Sequence, residues 1–152
     1  MRKILLLILA VGFALNVFLE QNPNFAQSYR EQNTTISSVP APNNQTLNNA
    51  YQNQQSDVQV YGSGMVIRTL ADDKKGSQHQ RFLVKLASGN TLLIAHNIDL
   101  APRINALREG DRIEFYGEYE WNEKGGLVHW THHDPRGHHE GGWLKHNGST
   151  YQ

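Results

Sequence analysis

Apolar and polar positions divide this chain into three stretches of different pattern. Residues 4–19 are apolar apart from Gly12 and Asn16, and they follow Arg2 and Lys3. Residues 20–57 hold few apolar side chains and show no period. From Val58 the pattern is that of β-strands, in which every second side chain points to the same face. Val58, Val60, Met65 and Ile67 mark a long first strand over 58–70, with Gly62 and Gly64 suited to a bend or bulge within it. Phe82, Val84 and Leu86 mark a second strand over 80–86. Ser88-Gly89-Asn90 turns it into a third, Thr91–His96, as a hairpin. Ile113, Phe115, Gly117, Tyr119 and Trp121 face one way along a fourth strand over 112–121. A second turn, 122–126, leads to a fifth strand over 127–133, with Val128 and Trp130 toward the core. Between the third and fourth strands, Ala101-Pro102 followed by Ile104 and Leu107 at helical spacing predicts a short helix within 97–108, stopped by Glu109-Gly110-Asp111.

Three strands, a short helix and two more strands, with glycines bending the first, predict an all-β domain. Its architecture is a small five-stranded OB-like barrel with the helix between strands three and four. Residues 58–152 number 95, enough for one core, and a chain beginning at Val58 is expected to be as stable as a longer one. The positive start and the largely apolar stretch of sixteen residues, 4–19, form a secretory signal pattern, too short for a full membrane span. The expectation is an exported protein, periplasmic or secreted. If the signal is not cleaved, residues 4–19 anchor it to the inner membrane and make its sole membrane contact. Residues 20–57, rich in Asn and Gln with Pro23, Pro40 and Pro42, are expected to be a disordered linker, because so few apolar groups cannot offset the entropy of ordering. The chain has no cysteine, so disulfides and thiol chemistry are excluded and the exported domain must be held by its core alone.

Charge narrows the partners. Residues 58–152 carry eleven Lys and Arg against eleven Asp and Glu, and such neutrality is not the strong basic patch of a non-specific nucleic-acid binder. A monomer with an unidentified ligand is the expectation. The histidines are unevenly placed: six of the eight lie between His129 and His146. Imidazole is both a common metal ligand and the side chain most easily protonated near neutral pH, so this segment is a candidate site. His132 and His133 would point to opposite faces of a strand, so one ion meets both only if the strand ends between them.

Two blocks of sequence carry a resemblance. They are His79-Gln80-Arg81-Phe82 through Ala95-His96-Asn97-Ile98-Asp99-Leu100-Ala101-Pro102-Arg103, and Phe115-Tyr116-Gly117-Glu118-Tyr119-Glu120-Trp121 through His129-Trp130-Thr131-His132-His133-Asp134-Pro135. In these the chain resembles a small bacterial family of exported proteins known as a domain of unknown function. That resemblance implies an OB-like fold and no activity.

On such a barrel the ends of strands three and five share a rim with the start of strand two. His79 and Arg81, His96 and Asn97, and His132, His133 and Asp134 would converge there. His96 is expected opposite Arg81 or Phe82. His79, Arg81, His96 and Asn97 are candidate ligand-binding residues; His132, His133 and Asp134 are candidate ligands for zinc or another divalent metal. The leading expectation is a binding module whose rim takes a small ligand, a glycan, a nucleic-acid strand or a metal ion. The alternative is a metal-assisted hydrolase of phosphodiesters or nucleic acid. Neither a His-Glu-x-x-His pattern nor a nucleophile elbow is present to support catalysis. A usable rim requires Arg81 and His96 to be more exposed than Phe82, Val84, Ile113 and Trp130. Replacing His96 or His133 should then cost under about 1 kcal/mol, against roughly 3–5 kcal/mol for a core Trp130.

Overall fold

The strand alternation closes into a barrel. The computed structural model describes Asn22 and residues 42–152. Its elements are α1 (Asn44–Gln52), β1 (Val58–Thr69), β2 (His79–Lys85), β3 (Thr91–Asn97), β4 (Arg112–Glu120), β5 (Leu127–His129), β6 (Trp143–His146) and β7 (Ser149–Tyr151). β1 pairs with β2 and β2 with β3, both antiparallel; β3 runs parallel to β5, β5 antiparallel to β4, and β4 returns antiparallel to β1. The circuit β1-β2-β3-β5-β4-β1 is that of an OB-like barrel. The core lies inside it, with Val60, Phe82, Val84, Leu92, Ile94, Ile113, Phe115, Tyr119 and Val128 fully buried.

β1 serves two neighbouring strands by bending. Its first part pairs with β4 from Val58↔Tyr119 to Met65↔Arg112, and its second part pairs with β2. The irregularity falls between Val66 and Arg68, beyond the two glycines. Because the pairing with β4 runs unbroken past the glycines, Val60, Gly62, Gly64 and Val66 keep to the inward face, and Met65 and Ile67 are 56% and 41% exposed instead of buried. Gly62 and Gly64 act through size: a Cβ would run into the Phe115 ring at the first and into Val84 and the Lys85 carbonyl at the second.

β6 and β7 were not among the five strands expected, and three further elements differ from expectation. No helix forms between β3 and β4. The main chain of Ile104 is instead claimed by a buried side chain, the Gln80 amide donating to its carbonyl at 3.0 Å and accepting from its N–H at 2.9 Å. A helical ladder would need those same two groups. The helix lies before β1, in the stretch expected to be linker. Asn43 caps it by accepting from the N–H of Gln45, and Leu47, Ala50 and Tyr51, spaced three and four apart, make its apolar stripe. Leu47 and Ala50 are buried in the barrel's core cluster, and Asn44 binds both main-chain groups of Ser63 in β1, at 3.0 and 2.9 Å. The compact unit that carries the barrel is Pro42–Gln152. The leader or anchor read at residues 1–19 and most of the linker lie outside the described residues. Among the described residues no helix is long and apolar enough to cross a membrane.

The third difference concerns the fifth strand, which ends at His129 and not at His133. Trp130 has φ +50, a left-handed conformation costly for a bulky residue, and there the chain leaves the sheet. It returns at β6, which takes the same edge of β4 that β5 has just left: Glu118 pairs with His129, and Tyr116 with Trp143. The hydrogen bond from the N–H of Gly142 to the His132 carbonyl, 2.9 Å, narrows the neck of the excursion. The histidine-rich segment 130–142 is therefore a loop ejected between two halves of one strand position. β7 folds back on β6 to finish the sheet.

Candidate functional site

The rim convergence expected from topology exists, with a different membership. Ser77 and His79 at the start of β2, Ala95 and Asn97 at the end of β3, Asp99 and Leu100 beyond it, and the ejected loop line an open cleft of about 790 Å³. From β5 and the loop come His129, Trp130, His132, Asp134, Arg136, His138 and His139. Of the candidate residues, His79, Asn97, His132 and Asp134 are brought together there.

His96, Arg81 and His133 are not. His96 lies opposite Gln80, one residue from the Arg81 register and two from the Phe82 register, and it shares the inward face of Gln80 and Phe82, fully buried inside the barrel. A carbonyl can only accept, so Nε2–H donates to Pro102 O at 3.2 Å and Nδ1 accepts from the Thr131 hydroxyl at 2.8 Å. Burial holds its pKa down at about 4 against the opposing pull of the Pro102 carbonyl, so the ring is neutral over the ordinary range. Gln80 and His96, paired across β2 and β3, both clasp the loop after β3 and seal this end of the barrel. Arg81 turns the other way and pins the loop between β1 and β2, donating twice to the Ala71 carbonyl, with Asp73 at 3.8 Å. His133 is exposed away from the cleft lining. Trp130 is half-buried, against the core position expected of it, with its ring stacked on His139 at 3.8 Å between centroids.

Two of the cleft histidines, His79 and His132, share one arrangement. His79 Nδ1–H donates to the Ser77 carbonyl and His132 Nδ1–H to the His133 carbonyl, each at 2.8 Å. In the neutral rings the lone pair is then on Nε2. The carboxylates are engaged with main chain. Asp99 accepts from the N–H of Gln78 at 2.7 Å. Asp134 accepts from the N–H groups of Arg136, His138 and His139 at 2.9, 2.6 and 2.9 Å. Those amides, Arg136 first, hold its pKa down at about 2. Asp134 thus shapes the loop. Asp134→Ala should speed hydrogen exchange at the amides of Arg136, His138 and His139 while leaving β2 and β3 protected; unchanged exchange at all three would show that the loop is held by other means.

The expected metal set of His132, His133 and Asp134 does not converge. Among the described residues the group of three whose ligand atoms lie within 4.8 Å of one another is Glu118, Glu120 and His129. Sequence reasoning passed over it. Glu118 and Glu120 alternate with the inward Gly117 and Tyr119, and the turn at 122–126 brings His129 opposite Glu118, so the signal was present in the hairpin register.

A closed five-stranded barrel of OB-like topology, carrying a polar cleft on its rim, is the class of protein that these features define. A family model described as "Protein of unknown function (DUF3465)" matches residues 31–152, and the chain belongs to that family. No curated protein matches the chain.

Proposed function

We propose that the protein is an exported binding module whose rim cleft takes a short glycan or similar polyhydroxylated ligand. The arrangement of hydrogen-bonding groups in the cleft carries this reading. Nε2 of His79 and of His132 are acceptors in the neutral rings, Asn97 keeps its NH2 as a donor because its oxygen accepts from the N–H of Asp99, and Asp99 and Asp134 already serve main-chain amides. A hydroxyl both donates and accepts, so a sugar satisfies such a lining, whereas an apolar ligand leaves it unpaired at a cost. Clefts on small barrel mouths are common ligand sites. Export rests on the charged, apolar pattern of residues 1–19.

Titration of the ¹⁵N-labelled protein with cellotriose, chitotriose, maltotriose and adenosine monophosphate tests the reading. At least one should shift the amides of His79, Asn97 and His132, and His132→Phe should weaken that binding about tenfold, the value of one lost hydrogen bond. Shifts caused by nucleotides alone, or by nothing in the panel, would overturn the glycan assignment.

A further inference from the structure

On the outer face of the β4–β5 hairpin, three side chains from two strands point at one spot. Glu118 and Glu120 lie two apart on β4 and so share a face; His129 is the cross-strand partner of Glu118. His129 Nε2 is 3.4 Å from Glu118 Oε1 and 3.6 Å from Glu120 Oε1. That nitrogen is shielded from solvent yet has no hydrogen-bond partner. An imidazolium held between two carboxylates would draw them to about 2.7–2.9 Å, the length of a charge-assisted bond. A tetrahedral ion with bonds of about 2.0–2.2 Å instead sets its ligand atoms roughly 3.3–3.6 Å apart, which is the spacing from the imidazole nitrogen to each carboxylate here.

We propose that Glu118, Glu120 and His129 form a binding site for a divalent cation of the zinc type. One imidazole with two carboxylates is a borderline donor set; magnesium and calcium favour oxygen alone and more ligands. Three protein ligands leave a fourth position for water. His139 is a positioning residue. Its Nδ1 is 3.6 Å from the other carboxylate oxygen of Glu118, and the Trp130 ring holds it in place by stacking. Outer partners of this kind orient a ligating carboxylate. The Trp130 backbone conformation that ejects the loop therefore also delivers His139 to the metal site. The site shares His129, Trp130 and His139 with the wall of the cleft, but it uses none of the groups on which the glycan reading rests, so either stands if the other fails.

Titration of the untagged full-length chain with zinc chloride, followed by calorimetry, is the test. Saturation near one ion per chain is expected. Glu120→Gln and His129→Gln should each weaken binding at least about tenfold, while a His133→Ala, His138→Ala double variant keeps it. Zinc should raise the melting temperature of the wild-type protein, since an ion bound only by the native state stabilises it. X-ray absorption of the zinc-loaded wild-type protein should show one imidazole in an otherwise oxygen shell. Two or more imidazoles in that shell, no saturable binding, or binding that survives Glu118→Gln, Glu120→Gln and disappears in the His133, His138 variant would overturn the proposal.

Discussion

A chain beginning at Val58 should be less stable than one beginning at Pro42 by at least about 3 kcal/mol, and urea unfolding of the two fragments measures it. The deleted segment is α1. Full burial of Leu47 contributes about 1.5–3 kcal/mol, and the two hydrogen bonds of Asn44 to Ser63 contribute about 1 kcal/mol each. Removing the helix also uncovers the core cluster into which Leu47 and Ala50 pack. Leu47→Ala in the longer fragment should alone cost about 2–5 kcal/mol. Equal stability of the two fragments, which strand alternation alone implies, would mean that α1 is only laid against the barrel.

Lowering the pH from 7 to 4 should remove about 3 kcal/mol of stability through His96. Its pKa is about 4 in the folded protein, against 6.5 for an ordinary histidine. As pH falls through 6.5 the unfolded chain takes up a proton that the folded chain refuses until about pH 4. The contribution is thus complete above about pH 6.5 and lost progressively between there and pH 4. Asp134, held down at about 2, acts in the same direction but only at lower pH, so the two windows separate. His96→Gln should be less stable than wild type at pH 7, because a buried hydrogen-bonded group is disturbed, and should show a flatter dependence between pH 4 and 6.5. The cost at pH 7 should exceed the 1 kcal/mol suited to a surface rim residue. Denaturant midpoints of the two proteins across that range decide it. Parallel curves would move the proton uptake to another histidine.

Glu118, Glu120 and His129 show how close the sequence came to a site it did not name. The alternation of β4 put both glutamates on the outer face, and the turn at 122–126 set His129 across from them. What hid the group was the conspicuous run His132-His133-Asp134, which drew attention to residue type where register carried the information. Conversely, Asp134 looks like a ligand in sequence, yet its three amide partners lie in a loop whose existence depends on Trp130 leaving the strand.

Period-two alternation was enough to place β1 to β4 and the start of β5, and with them the barrel order, because burying one face of each strand admits few other closures. It could not place His96. Opposite Arg81 the ring would face outward and opposite Gln80 it faces the interior, and register is settled by the paired strands together. The same holds for the helix after β3. Ile104 and Leu107 have helical spacing, and both are buried, but a distant side chain, Gln80, takes the main-chain groups that the helix would have used. α1 formed within Asn- and Gln-rich sequence because the barrel supplied a surface for Leu47 and Ala50. Local pattern by itself located the five barrel strands but not β6, β7 or the end of β5; the tertiary structure decided those and which polar groups meet, since pairing and hydrogen bonds between residues far apart in the chain leave no period in the sequence.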